Sequence, residues 1–356
     1  MNTISTIGLD IAKNSFAVHG FDASGVTVLV KELKRGQVLA FFAKLAPCRV
    51  GLEACASAHH WARELTGLGH EARLIPAQRV KAFLPRQKND AADAKAIARA
   101  ARDPEMRFVP VKTGEQQSVL MLFKARDLLV GQRTQIMNAL RGHFGEIGLV
   151  VPKGPQEVAA LVAMVMDEKR GDEKLGNELP SQLPGAMRAA LRPLVFALFT
   201  LNEQIAALGK AILGAHRASE VSRRLATVPG IGTLIAAVLT ATVPDPCVFS
   251  GGREFAAWIG LVPRQDSTGG KPKLGHISKM GNRDLRRLLV VGAHAALYRI
   301  KTGKTKGALA DWARALLAFK PFKLVAVALA NKMARIAWAV MARGGSYAAA
   351  HSAPCA

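Results

Sequence analysis

The chain is short of cysteine, of acid and of uninterrupted apolar sequence, and each shortage closes off a class of protein. Its four cysteines, Cys48, Cys55, Cys247 and Cys355, form no CxxC pair and no zinc-ligand spacing. Scattered thinly over 356 residues, they point to reduced thiols in a cytoplasm and away from a secreted disulfide scaffold. The most apolar stretch, Leu324 to Met341, is broken by Lys332 and Arg335. A spanning helix needs about 20 largely uncharged residues, so this one reads as a core helix and no membrane partner is expected. The N-terminus runs into a strand without the basic, apolar and small-residue succession of a secretory leader. Acid is scarcest, with 26 Asp+Glu against 49 Lys+Arg, a net charge of +23 and a pI near 10.4. Such a chain suits a polyanionic partner, because neutralising phosphates with Lys and Arg releases counterions and supplies most non-specific affinity.

What is present is enough apolar sequence for a sizeable core, at 50% hydrophobic residues, and a length that fits two domains or one with a large appendage. An apolar run, Ile4 to Leu9, leads to Asp10; two β-like segments follow, Phe16–Phe21 and Val26–Leu33, joined by the turn-forming Asp22-Ala23-Ser24-Gly25. The pattern then alternates: a helix over Gln37–Leu45, a strand over Arg49–Glu53, a helix over Ser57–Leu68, a strand over Ala72–Ile75, and short helices from Gln78 and from Asp90. Three antiparallel strands followed by this alternation give the order of a ribonuclease H-like α/β domain over residues 1–111. Thr113 with Gln116 forms a capping box that opens a long helix to about Gly145, with Leu122, Leu129 and Ile136 repeating every seven residues. The polar stretch Asp167–Leu183 reads as a loop, and a second amphipathic helix carries Leu201, Ile205, Leu208 and Ile212 on one stripe. These helices suggest an antiparallel coiled-coil arm over 112–220, which either packs within one protomer or joins a homo-oligomer. From Val221 to residue 356 the chain is mostly helical and strongly basic, with an alanine-rich tail after Tyr347.

Four of the scarce acids form the first candidate site. Asp10 ends the first strand and Glu53 the fourth, so adjacent parallel strands bring the two side by side. Asp90 and Asp93 lie three apart on a helix and share a face, with Cβ atoms about 5–6 Å apart. Hard oxygen ligands in that arrangement suit two Mg²⁺ ions about 3.5–4 Å apart, and beside so basic a surface they read as a magnesium site acting on nucleic acid. Each acid has an ordinary alternative: Asp90 as a helix cap, Asp93 as a solvated charge, Asp10 as the start of a turn. Glu53 is harder to dismiss, since a charge ending an apolar strand is costly unless something binds it. His59-His60 is a fifth-ligand candidate, equally explained by an exposed helix start.

The carboxy-terminal part carries two more signals. Val228-Pro229-Gly230-Ile231-Gly232 before an apolar helix is a helix-hairpin-helix pattern, in which Gly230 and Gly232 leave backbone N–H groups open to phosphate. A plain αα-turn with a glycine cap is the alternative. Further on, Ser267-Thr268-Gly269-Gly270 sits among Lys271, Lys273, Lys279 and Arg283, with Arg286 and Arg287 on the following helix for backbone contact. This setting can hold Ser267 in line with a scissile phosphate, and a phosphoserine link would conserve bond energy for rejoining. A phosphate-binding loop whose serine only donates a hydrogen bond is the plainer reading.

The motifs Gly8-Leu9-Asp10-Ile11-Ala12-Lys13-Asn14, Gly51-Leu52-Glu53-Ala54-Cys55, Lys88-Asn89-Asp90-Ala91-Ala92-Asp93-Ala94, Pro229-Gly230-Ile231-Gly232, Gly260-Leu261-Val262-Pro263-Arg264-Gln265 and Ile277-Ser278-Lys279 occur in order from about residue 4 to residue 300. Together they resemble the DEDD transposases of the insertion-sequence one-hundred-and-ten family, and most nearly its eleven-eleven branch. The resemblance implies a RuvC-like domain whose metal ligands are Asp10, Glu53, Asp90 and Asp93, a coiled-coil arm, and a C-terminal transposase domain with Ser267 as catalytic nucleophile. It further implies Mg²⁺, donor and target DNA, a structured non-coding guide RNA, a composite site shared between protomers of a dimer or tetramer, and a bacterial, nucleoid-associated setting. Relatives of this branch commonly show Ser-Ser-Gly-Gly, so Thr268 stands as a second candidate nucleophile, and Asp266 stands where a histidine is often found. Two other enzymes share these features, a RuvC-like structure-selective nuclease and a Piv-type site-specific invertase. A catalytically silent nucleic-acid-binding protein is the reading from another class.

Overall fold

A computed structural model describes residues 3–84, 89–166 and 183–347. The first unit contains β1 (Thr6–Ile11), β2 (Ser15–Phe21), β3 (Thr27–Lys34), α1 (Val38–Phe42), β4 (Arg49–Glu53), α2 (Ala58–Gly67), β5 (Glu71–Ile75), α3 (Ala77–Val80) and α4 (Asp90–Arg102). Its five strands lie in the order β3-β2-β1-β4-β5, with β1, β2 and β3 antiparallel and β4 and β5 parallel to β1. Asp22 closes the turn between β2 and β3 by accepting from the Gly25 and Val26 amides, both at 2.9 Å. The first strand runs two residues later than the apolar pattern predicts. Asp10 pairs with Ala17 and Ile11 with Phe16, so the ladder continues through the carboxylate.

One face of the sheet buries Ile7, Leu9, Val50 and Leu52 with Trp61 and Leu65 of α2. The other carries α4, and it does so at backbone distance. Gly8 and Gly51 pair across β1 and β4. A Cβ on Gly8 would lie 2.1 Å from the Ala94 carbonyl oxygen and 2.4 Å from the Ala98 amide, and one on Gly51 would lie 2.7 Å from the Ala101 methyl. Two glycines facing a row of alanines therefore let α4 lie directly on the central strands.

The remainder is helical: α5 (Gly114–Gly145), α6 (Pro155–Met166), α7 (Gly185–Ala218), α8 (Glu220–Leu225), α9 (Thr233–Thr242) and α10 (Gly252–Ile259), then the hairpin β6 (Pro263–Gln265) and β7 (Leu274–Ile277), then α11 (Arg283–Lys301), α12 (Ala308–Leu317) and α13 (Phe322–Arg343). The Thr113–Gln116 capping box is present at the start of α5, a helix about 48 Å long at 1.5 Å per residue. The seven-residue repeat Leu122, Leu129 and Ile136 is only half-buried. The deeply buried positions are Phe123, Met137, Leu140 and Phe144, because α5 changes partners along its length. Phe123 joins Ile212 of α7 in the C-terminal core, whereas Met137, Leu140 and Phe144 pack with Val158 and Leu161 of α6 and Leu191 and Val195 of α7. Of the predicted loop Asp167–Leu183, residues 167–182 lie outside the described residues, as does the tail beyond Tyr347, while Leu183 is buried with Val158 and Leu161. By length and composition α7 and α13 could cross a membrane. Instead α13 runs through the C-terminal core on Val325, Leu329, Met333 and Ala337, and α7 lies along α5, so neither marks a membrane protein.

The α4 contact makes a prediction. Gly8→Ala should destabilise by about 1–3 kcal/mol, because a backbone carbonyl cannot rotate away as a side chain can. Gly36→Ala, where a Cβ meets open space, should move stability by under about 0.5 kcal/mol. Denaturant unfolding of both variants checks the pair.

Candidate active site

The sheet carries Asp10 near the C-terminal end of β1 and Glu53 at the last residue of β4, one step beyond the paired Leu9 and Leu52. Helix α4 begins over this edge. Asn89 caps it, its side chain accepting the Ala92 amide at 2.7 Å. The capping role is thus filled by Asn89, and the Asp90 carboxylate is left for something else. Asp10, Asp90 and Asp93 each bring an oxygen within 4.8 Å of the other two. Glu53 stands outside that trio, yet close enough for its charge to act on Asp10.

Two observations describe the electrostatics. Burial, and then the like charges of Asp93, Asp90 and Glu53, push the Asp10 carboxyl up from 3.8 to about 6. One Asp93 oxygen, Oδ1, is buried without a hydrogen-bond partner. A buried, unpaired carboxylate oxygen facing two further carboxylates is unfavourable by itself and is satisfied by a cation. The trio is all oxygen, the donor set of hard divalent cations, so these residues fit such an ion. The histidine pair stands apart from it. The His59 ring accepts the Lys112 amide at 3.2 Å and faces the Lys112 ammonium at 3.1 Å, and burial with Lys112 and Arg63 holds its pKa down at about 4. His60 pairs with Glu64 at 3.6 Å.

The serine segment is a β-hairpin, more ordered than the glycine-bearing loop its residues suggest. Thr268 bridges to Lys271, and Gly269 and Gly270 at φ +57° and +73° form the two-residue tip that such hairpins favour. Ser267 Oγ is exposed and accepts two hydrogen bonds, from Gln265 Nε2 at 3.0 Å and from the Lys273 amide at 3.1 Å. Among the described residues, no hydrogen bond or ion pair links this hairpin to the four acids.

The basic candidates divide. Lys271, Lys273, Lys279 and Arg283 are exposed around the hairpin. Arg286 is turned inward, holding the carbonyls of Ile259 at 2.7 Å and Met280 at 2.9 Å. Arg287 pairs with Asp127 of α5 at 2.8 Å. Gly230 faces the protein, since a Cβ there would lie 2.9 Å from the Gly292 carbonyl oxygen of α11 and 2.8 Å from the Met333 methyl. Gly232, exposed, caps α9 with no side-chain bond. What the residue patterns do not reveal is the Gly8–Gly51 seat for α4 and the Gln265 contact to Ser267. Glycines two positions before Asp10 and Glu53, with alanines at 94, 98 and 101, were the available signal.

A five-stranded sheet of this order, with carboxylates gathered at one end of its two central strands, is consistent with a RuvC-like transposase domain. Comparison with known proteins carries that class to a family. Residues 7–148 match the family of IS110 DEDD transposases, and residues 222–309 match the family described as "Transposase IS116/IS110/IS902 family". The chain is 46% identical over 345 residues to the "Probable family 20 transposase" of Pseudomonas aeruginosa, covering 97% of this chain and 98% of that one. It is 38% identical over 344 residues to the transposase for insertion sequence element IS1328 of Yersinia enterocolitica, covering 97% and 98% respectively. The transposase for insertion sequence element IS1111A of Coxiella burnetii is 38% identical over 347 residues, covering 98% and 92%. The chain belongs to the IS110 transposase family, in its IS1111 branch, and is an enzyme of DNA cleavage and transfer. Its DEDD domain implies a divalent metal.

The raised Asp10 pKa predicts a pH dependence. In the folded chain the ionised form is disfavoured, so Asp10's own contribution to the stability of the metal-free chain is fully present below about pH 4 and is lost as pH rises through about 6. In EDTA, Asp10→Asn should melt higher than wild type at pH 7.5 and level with it near pH 4. Thermal melts at the two pH values measure this, and a gap of equal size at both would reject the assignment.

Proposed function

We propose that the chain is an RNA-guided, Mg²⁺-dependent transposase that cuts and rejoins DNA through a covalent serine link. The observation that carries this reading is the buried, unpaired Asp93 oxygen beside Asp10 and Asp90, in a chain related over its whole length to transposases. Asp10, Glu53, Asp90 and Asp93 hold the metal, and bound Mg²⁺ would supply charge stabilisation to the phosphate in attack and activation of the attacking oxygen. Ser267 Oγ attacks phosphorus, forming an Oγ–P bond as the bond from phosphorus to the leaving sugar oxygen breaks. The serine proton is lost and the leaving oxygen gains one. A hydroxyl of the recipient strand then displaces Oγ, so the number of phosphodiester bonds is kept. The donors on Ser267 Oγ, Gln265 and the Lys273 amide, fix its rotamer and favour its alkoxide.

In this reading residues 1–111 form the RuvC-like catalytic domain, 112–220 a coiled-coil arm that joins copies into a dimer or tetramer, and 221–356 the transposase domain. The composite site that the family resemblance implies would set the serine of one protomer to work with the acids of another; among the described residues no hydrogen bond or ion pair joins the hairpin to the acids of its own chain. The exposed Gly232 of a helix-hairpin-helix, with Lys271, Lys273, Lys279 and Arg283, contacts nucleic acid, Gly230 seats that turn against α11, and Arg286 and Arg287 shape the surface from behind. The guide is a structured RNA of the element, and the work is done on chromosomal DNA in the cytoplasm, at the nucleoid. The same two bonds also fit a second reading, a RuvC-like nuclease: a serine whose oxygen accepts both keeps its O–H to donate to a phosphate that water attacks.

Trapping decides between them. With Mg²⁺ and the RNA that copurifies with it, the wild type should yield a denaturant-resistant protein–DNA adduct, and Ser267→Ala should abolish it while Thr268→Ala retains it. Cutting without any adduct, unchanged in Ser267→Ala, would support the nuclease. Sequencing of the copurified RNA should return one discrete structured species; a random pool would remove the guide.

A further inference from the structure

A groove of about 890 Å³ runs between the β6–β7 hairpin and one face of α13. Leu261, Ile277, Leu324 and Val327 give it an apolar floor, and Leu324 is 54% exposed. The rim is cationic, with Lys279 after β7 and Lys323, Lys332 and Arg335 along α13. Leu324, Ala328, Asn331 and Arg335 recur at three- and four-residue steps, so they form one helix face, opposite the core stripe Val325, Leu329, Met333 and Ala337. Asn331 donates to the Leu261 carbonyl at 3.1 Å and ties that face to the chain entering the hairpin. Lys332 Nζ lies 4.3 Å from the centre of the Trp312 ring, which holds its charge at the groove edge. Among the described residues no carboxylate lines the groove, and none of its four cations makes an ion pair.

We propose that this groove takes an unpaired nucleotide of the DNA strand lying on the serine hairpin, its base on the apolar floor and its phosphates against the cationic rim. Charge complementarity selects a polyanion, and the floor selects which kind. A duplex hides its base faces in the stack and presents only phosphates, so it would use the rim and leave the floor in water. An unpaired nucleotide offers both a flat apolar body and a charge, and every base has such a face whatever the sequence. The volume falls in the roughly 300–1,000 Å³ range of sites that enclose small molecules. Holding one splayed nucleotide at the base of the hairpin that carries Ser267 would fix the register of the strand along it. This rests on the reading that the hairpin meets the strand to be cut; the test below measures binding alone, so a wrong nucleophile leaves it standing.

Fluorescence anisotropy of the full chain with short labelled oligonucleotides provides the test, using single-stranded DNA, duplex DNA and RNA of the same sequence. Ala328→Ile narrows the groove over its floor without adding a face for a base to stack on, and Leu324→Asp, at an exposed position, places a carboxylate on that floor without disturbing the core. Both should weaken single-stranded DNA binding about tenfold; duplex binding should be unchanged in the Ala328 variant and, in Leu324→Asp, whose carboxylate joins the rim that a duplex would use, should fall by less than single-strand binding. Unchanged single-strand affinity in both variants, equal loss for the duplex, or a loss confined to the RNA would each overturn the proposal.

Discussion

The structure depends on one close approach, that of α4 to the paired glycines of β1 and β4. The acids come from distant parts of the chain, and only a helix lying at backbone distance on the sheet brings Asp90 and Asp93 over the end of the strand that holds Asp10. Because Gly8 and Gly51 lack side chains, the contact partner of the sheet is the helix backbone and its alanine methyls. A seat made that way is inflexible, since no rotamer change can absorb an added methyl. The same contact sets the electrostatics. Three carboxylates within 4.8 Å repel one another, and the raised Asp10 pKa records burial first and then that repulsion. The fold therefore holds a site that is unfavourable when empty of charge compensation, a common property of sites meant for an ion.

Acid elsewhere in the chain has a different use. Asp127 and Asp284 fasten α5 to α11 through Arg287 and Lys124, and Glu254 of α10 pairs with Arg107 beyond α4. With 26 acids against 49 Lys+Arg, these commitments leave most cations uncompensated, including those around the serine hairpin and the groove beside it. Net charge drives attraction to nucleic acid without sequence preference, whereas in the function proposed above the hairpin is where the backbone is held.

Much of the fold is legible in the residues because the signals are local. The strand Arg49–Glu53 and the Thr113–Gln116 capping box stand where the pattern puts them, each set by its neighbours alone. The extension of β1 through Asp10 and Ile11 is not legible, because it is fixed by pairing with Phe16 and Ala17 across the ladder. The seven-residue repeat of α5 misleads for a similar reason: burial follows a change of partner from α9 to α6 that no helical period encodes. At the site, the shared face of Asp90 and Asp93 follows from their spacing, while the inward turn of Arg286 depends on the carbonyls of Ile259 and Met280, which only the folded chain brings near. Side chains that look alike in a basic run are thus separated by what lies beneath them.

The central claim is that carboxylates from separate segments converge to bind a divalent cation. Calorimetric titration of the metal-free chain with Mn²⁺ at pH 7.5 tests it most directly. The account predicts saturable binding that Asp10→Asn and Asp93→Asn each weaken by about tenfold or more, as removing a charged ligand should. Equal affinity in wild type and both variants would contradict it.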